Sequence, residues 1–93
     1  MVNKNVIKIR KKLDKLDDSL LNTIKRRTNL VDLVIKNKKF KKDIIDKKRI
    51  SIILKNIKKK STMNKIDSII THRIWSSMIK AYIDYEFRKF KKK

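Results

Sequence analysis

Apolar residues recur at Val6, Ile9, Leu13, Leu16, Leu20, Ile24, Leu30 and Val34, mostly three or four residues apart. That interval lays one apolar stripe along a single helix spanning residues 5–38. A helix of that length runs about 50 Å at 1.5 Å per residue. A lone globule of 93 residues has no core that long, so the stripe needs cover along its whole length. The spacing therefore predicts that a second copy of the chain supplies it. Gly and Pro are both absent. Hairpins and tight turns with positive φ usually depend on them, so the remaining elements are also expected to be helices joined by short polar loops.

Residues 39–45, KFKKDII, break the pattern and read as a loop. Asp46 is placed to cap a second helix over 46–60, with Ile50, Ile53, Leu54 and Ile57 turned inward. Residues 61–64, STMN, read as the next break, with Asn64 as the N-cap of a third helix from Lys65 to Phe90. Its stripe is Ile66, Ile69, Ile70, Ile74, Ser77, Met78, Ala81 and Tyr85. The predicted architecture is all-α: three helices, long, short and long, in one domain over residues 1–93, built as an intertwined helical homodimer.

The formal charge of +20 points first to nucleic acid. Yet Lys greatly outnumbers Arg, and Lys, Ile and Asn together make about half the chain. The lysines are also spread over the whole length. That is the pattern of a global compositional drift, such as an AT-rich coding sequence gives, so a basic helical module that coats DNA or RNA is the less favoured reading. The absence of Cys excludes a disulfide framework and a thiolate metal site. His72 is the only His, which argues against a His-based metal site within one chain, and neither metal nor cofactor is expected. No apolar run approaches ~18 residues, and the N-terminal stretch lacks a signal peptide's apolar core. A cytoplasmic protein without membrane association is the expectation.

The apolar stripe leaves several residues of the first helix unexplained. Residues 9–27 read IRKKLDKLDDSLLNTIKRR, in which Arg10, Leu13, Asp14, Leu16, Asp17, Leu20, Leu21, Ile24 and Arg27 are spaced like the first helix of the all-helical, type II chorismate mutase family. That family has a Lys eleven residues after the second Arg, where Lys38 stands here. It then has a loop and an Asp-x-x-Arg-Glu that opens helix 2; here Asp46-Lys47-Lys48-Arg49-Ile50 matches except at the last position. The family's third helix ends with a Gln or Glu, and IWSSMIKAYIDYE places Glu86 there. The resemblance covers essentially the whole chain.

It implies a mutase that takes the dianion chorismate to prephenate in a pericyclic, unimolecular step, within aromatic amino-acid biosynthesis. Arg27 and Arg10 of the partner subunit would clamp the substrate carboxylates, and Arg49 would add to that positive wall. Lys38 would donate to the ether oxygen from one side. Glu86 would donate from the other if it carries a proton. Asp46 would orient the substrate, and Tyr82 would line the site. The spacing is compatible. Arg10 and Arg27 are 17 residues apart, about 25 Å along a helix, too far to grip one small ligand within one chain. Two such helices paired antiparallel bring Arg10 of one toward Arg27 of the other. Arg27 and Lys38 lie three turns apart on nearly the same face, about 16 Å at the backbone.

Each residue also has a plainer reading. Arg10 and Arg27 are ordinary solvated helix charges, Asp14 and Asp17 make i,i+3 or i,i+4 pairs, and Asp46 is only a cap. Lys36 or Lys39 replaces Lys38 if the register slips. Trp75, Tyr82 and Tyr85 are core or pocket wall, His72 is a surface or interface residue, and Glu86 pairs with Lys89 one turn on. Two positions depart from the family. Ile50 stands where most of these mutases carry a Glu that meets the substrate's ring hydroxyl. Tyr82 stands where a small polar residue is common. Both are similar to isochorismate pyruvate lyases, which share the fold and form salicylate, and that activity is the alternative.

Overall fold

The structure, a computed structural model, describes residues 3–90. Those residues form three α-helices and a short 3-10 turn, with no strand among them. Helix α1 is Lys4–Asn37, the 3-10 turn is Lys41–Ile44, α2 is Lys47–Met63 and α3 is Ser68–Lys89. The long, short, long order is the expected one. The chain divides into two compact units, one ending at Leu33 and the other beginning at Val34.

The first unit is α1 up to Leu33. Asn3 caps it, its Oδ1 accepting from the Val6 N–H at 2.9 Å. The stripe residues from Ile7 to Leu33 are 44–66% exposed. Burial of one Leu or Ile side chain contributes roughly 1.5–3 kcal/mol, so this helix face forgoes a large stabilisation as a single chain. Asp14 and Asp17 form no ion pair among the described residues, contrary to the plainer reading of them. Exposed pairs of that kind contribute little, and nothing holds the side chains together.

The second unit holds the end of α1, the 3-10 turn, α2 and α3. Helix α2 packs along α3, and the 3-10 turn also packs on α3. Ile35 and Ile44 are the buried apolar residues among those described. Ile50, Ile53, Leu54 and Ile57 of α2, as expected, and Trp75, Met78 and Ile79 of α3 are half-buried. Between α2 and α3, Ser61 and Thr71 share a hydrogen bond of 2.7 Å and are 3% and 8% exposed.

The break between α2 and α3 lies later than the sequence predicts. Ser61 and Thr62 continue the helix because their hydroxyls bond back to the carbonyls of Ile57 and Lys58, at 2.6 and 3.1 Å. Asn64 is therefore the C-cap of α2, not the N-cap of α3. The Ile66 N–H reaches the Ser61 carbonyl and the Lys65 N–H that of Thr62, with Lys65 at φ 57° between them. This is a Schellman ending whose left-handed position, usually Gly, is filled by Lys. Asp67 then caps α3, accepting from Ile69 and Ile70.

The inward face of α3 also differs in part from the expected stripe. Thr71, Trp75, Met78, Ile79, Tyr82 and Glu86 are buried or half-buried, as is Tyr85. Ile66, Ile69, Ile70 and Ile74 are 49–64% exposed, and Ser77 and Ala81 are exposed too. Helix α3 thus carries a second apolar face that α2 leaves uncovered.

Candidate functional site

Lys38 is the first residue after α1, where the chain leaves the helix with the Lys38 N–H on the Ile35 carbonyl at 3.1 Å. Glu86 sits near the end of α3, and its own carbonyl accepts from the Phe90 N–H at 2.8 Å. The two side chains, 48 residues apart in sequence, meet: Lys38 Nζ donates to Glu86 Oε1 at 3.4 Å. The Lys38 side chain is 20% exposed and that of Glu86 10%. Lys38 Nζ also donates to the Ile44 carbonyl at 3.5 Å, so the 3-10 turn holds it from a second direction.

The contact decides two points that the sequence leaves open. Lys38, rather than Lys36 or Lys39, is the lysine that reaches Glu86. Glu86 pairs across the unit with Lys38 and not along its helix with Lys89, whose Nζ lies over the Tyr85 ring at 5.9 Å. A carboxylate that leans on its own helix would be solvated; this one is drawn inward to a cation held by another element.

Lys38 also borders an open cleft of about 600 Å³, lined with Lys42, Asp43, Ile45, Asp46 and Lys47. That volume suits a small ligand. Three ammonium groups against two carboxylates favour an anion. One carboxylate is already committed: Asp46 Oδ1 accepts from the Arg49 N–H at 3.0 Å and caps α2. Asp46 therefore caps α2, and it does so at the wall of the cleft.

The other expected residues are placed as follows. Arg49 is in the first turn of α2, exposed and outside the cleft's lining. Tyr82 lies one turn before Glu86 on α3, half-buried, its ring edge-on to Tyr85 at 6.4 Å. Arg10 and Arg27 belong to α1 of the first unit, and both are exposed. His72 is exposed, with Ser76 3.5 Å from its Nε2. Lys42 and Lys47 line the cleft without having been singled out in the sequence. Both lie in lysine-rich stretches, where periodicity cannot tell which side chain faces a ligand. Among the described residues, no group of three or more His, Cys, Asp or Glu side chains is placed to hold a metal ion.

The family model described as chorismate mutase type II matches residues 9–87. The chain belongs to that family. The match begins just before Arg10 and ends just after Glu86, so it takes in all the residues whose spacing carried the resemblance. No curated protein and no solved structure matches the chain. Membership in the type II chorismate mutases accords with three helices and with the absence of strands among the described residues. No described helix is long and apolar enough to cross a membrane.

Proposed function

We propose that the protein is a chorismate mutase, acting as a homodimer whose chain works as one domain in the cytoplasm and feeds aromatic amino-acid biosynthesis. The observation that carries this is the Lys38–Glu86 contact at 3.4 Å beside a cationic cleft. Chorismate is a dianion with an enol-ether oxygen. Its rearrangement breaks one C–O bond and forms one C–C bond within the molecule, with no group transferred to the protein. Catalysis then consists of holding a compact conformer and stabilising the charge that grows on the ether oxygen.

The residues divide that work. Arg27 and Arg10 of the partner subunit grip the two carboxylates, where the planar fork of Arg suits bidentate contact. Arg49 adds positive charge, as do Lys42 and Lys47 on the cleft wall. Lys38 turns its ammonium from Glu86 to the ether oxygen. Glu86 donates from the opposite side, for which it must hold a proton, because a carboxylate is acceptor-only. Asp46, capping α2, fixes the helix end that presents Arg49. The uncovered apolar faces of α1 and α3 support the dimer: they are the surface a second copy buries.

A second reading rests on Ile50 and Tyr82. An apolar Ile50 gives the ring hydroxyl of chorismate no acceptor, and an isochorismate pyruvate lyase would not need one there. The test is incubation with chorismate and, separately, with isochorismate, followed by chromatography of the products. Prephenate supports the mutase. Salicylate without prephenate replaces it with the lyase, and neither product removes both.

A further inference from the structure

A second cavity, of about 440 Å³, is lined by Lys39, Phe40, Lys41, Phe87 and Phe90. It shares no lining residue with the cleft. The segment between α1 and α2 divides its side chains between the two, with Lys38, Lys42 and Asp43 on the cleft and Lys39, Phe40 and Lys41 on this cavity. Three benzyl rings and two ammonium groups make an unusual lining. Phe40 is 59% exposed, although its ring is large enough to reward burial. Lys41 Nζ stands 5.8 Å from the centre of the Phe87 ring. No acidic residue lines the cavity.

We propose that this cavity is a binding site for a small aromatic monocarboxylate that carries no amino group. Aromatic walls favour a flat ring, by stacking or edge-to-face contact. The two ammonium groups favour one negative head at the mouth. An amino acid is disfavoured because its ammonium would meet Lys39 and Lys41 with no carboxylate to receive it. A flexible aliphatic acid loses more conformational freedom on binding than a rigid ring does. This inference does not depend on the reaction proposed for the cleft.

The test is a titration of the ¹⁵N-labelled protein with benzoate, cyclohexanecarboxylate, phenylalanine, benzylamine and uridine monophosphate, read by amide chemical shifts. Benzoate is expected to give saturable shifts at Phe40, Lys41, Phe87 and Phe90, and to bind several-fold more tightly than cyclohexanecarboxylate. Phenylalanine and benzylamine are expected to leave these amides unmoved. Removing both rim charges, in a Lys39→Gln and Lys41→Gln double variant, should weaken benzoate about tenfold. Phe87→Leu keeps an apolar side chain and should weaken benzoate more than cyclohexanecarboxylate. The proposal is overturned by any of four results: no saturable shift, unchanged affinity in the double variant, benzylamine or uridine monophosphate binding as well as benzoate, or shifts confined to Lys38, Lys42 and Asp46.

Discussion

Replacing Lys38 with Met should cost stability and activity by separable amounts. The substitution keeps an unbranched apolar stem and deletes the ammonium, leaving the Glu86 carboxylate, 10% exposed, without its cation. Breaking a fully buried pair costs about 3–5 kcal/mol, and an exposed pair contributes under about 1 kcal/mol. At 3.4 Å, with the Lys38 side chain 20% exposed, the pair lies between these limits. A loss of about 1–3 kcal/mol is expected, and each kcal/mol lowers Tm by about 4–8 °C in a domain of this size. Glu86→Gln keeps an oxygen for Lys38 Nζ and adds an N–H donor, so it should cost under about 1 kcal/mol. Both melts need one fixed protein concentration, because the proposed dimer would make Tm move with concentration. In turnover of chorismate, loss of one preorganised donor costs about 10²–10³-fold, which is the fall expected for Lys38→Met. Glu86→Gln keeps a donor for the ether oxygen whereas Glu86→Ala has none, so Glu86→Gln should retain more turnover than Glu86→Ala. Equal melting of Lys38→Met and Glu86→Gln would refute the stability reasoning, and turnover by Glu86→Ala equal to wild type would return Glu86 to a structural role.

Lys65→Gly should raise stability by up to about 1 kcal/mol, measured by urea denaturation, because Gly takes the left-handed position at φ 57° without a Cβ clash. Ser61→Ala and Thr71→Val alone should each cost about 0.5–1.5 kcal/mol by removing the bond between the two hydroxyls, because the hydroxyl left behind keeps its backbone acceptor, the Ser68 or the Ile57 carbonyl, and the double variant should cost less than their sum in the same assay. Leu16→Glu together with Leu20→Glu should convert the protein to monomer in sedimentation and abolish turnover, since both side chains are more than half exposed on the face assigned to the second copy; a dimer that survives both would send the interface elsewhere.

The helices could be read from the sequence because their signals are local. The apolar interval of α1 needs no tertiary information, and the Asp46 cap is written in a residue that accepts from an N–H three positions on. The break at 61–64 was misplaced because Ser and Thr signal both helix ends and helix interiors. Only the structure shows that their hydroxyls turn back to the preceding carbonyls. With no Gly to mark the end of α2, the turn at Lys65 left no trace in composition. At the site, the family's spacing picked out Lys38 and Glu86 but put them on opposite sides of a ligand; their direct contact joins residues 48 apart, and no periodicity links the two. Which lysines of a lysine-rich loop line the cleft had no sequence signal at all, and Lys42 was missed for that reason. The inward face of α3 was mixed for a related cause: the helix has two apolar faces, and a stripe alone does not say which one meets α2.

The central claim is that the cationic cleft and the Lys38–Glu86 pair serve the rearrangement of chorismate. Its most direct measurement is chromatography of the products formed from chorismate and from isochorismate by the wild-type protein and by Arg27→Ala. The account predicts prephenate from chorismate with the wild type and near-complete loss with Arg27→Ala. Salicylate without prephenate, or prephenate formation indifferent to Arg27→Ala, would contradict it.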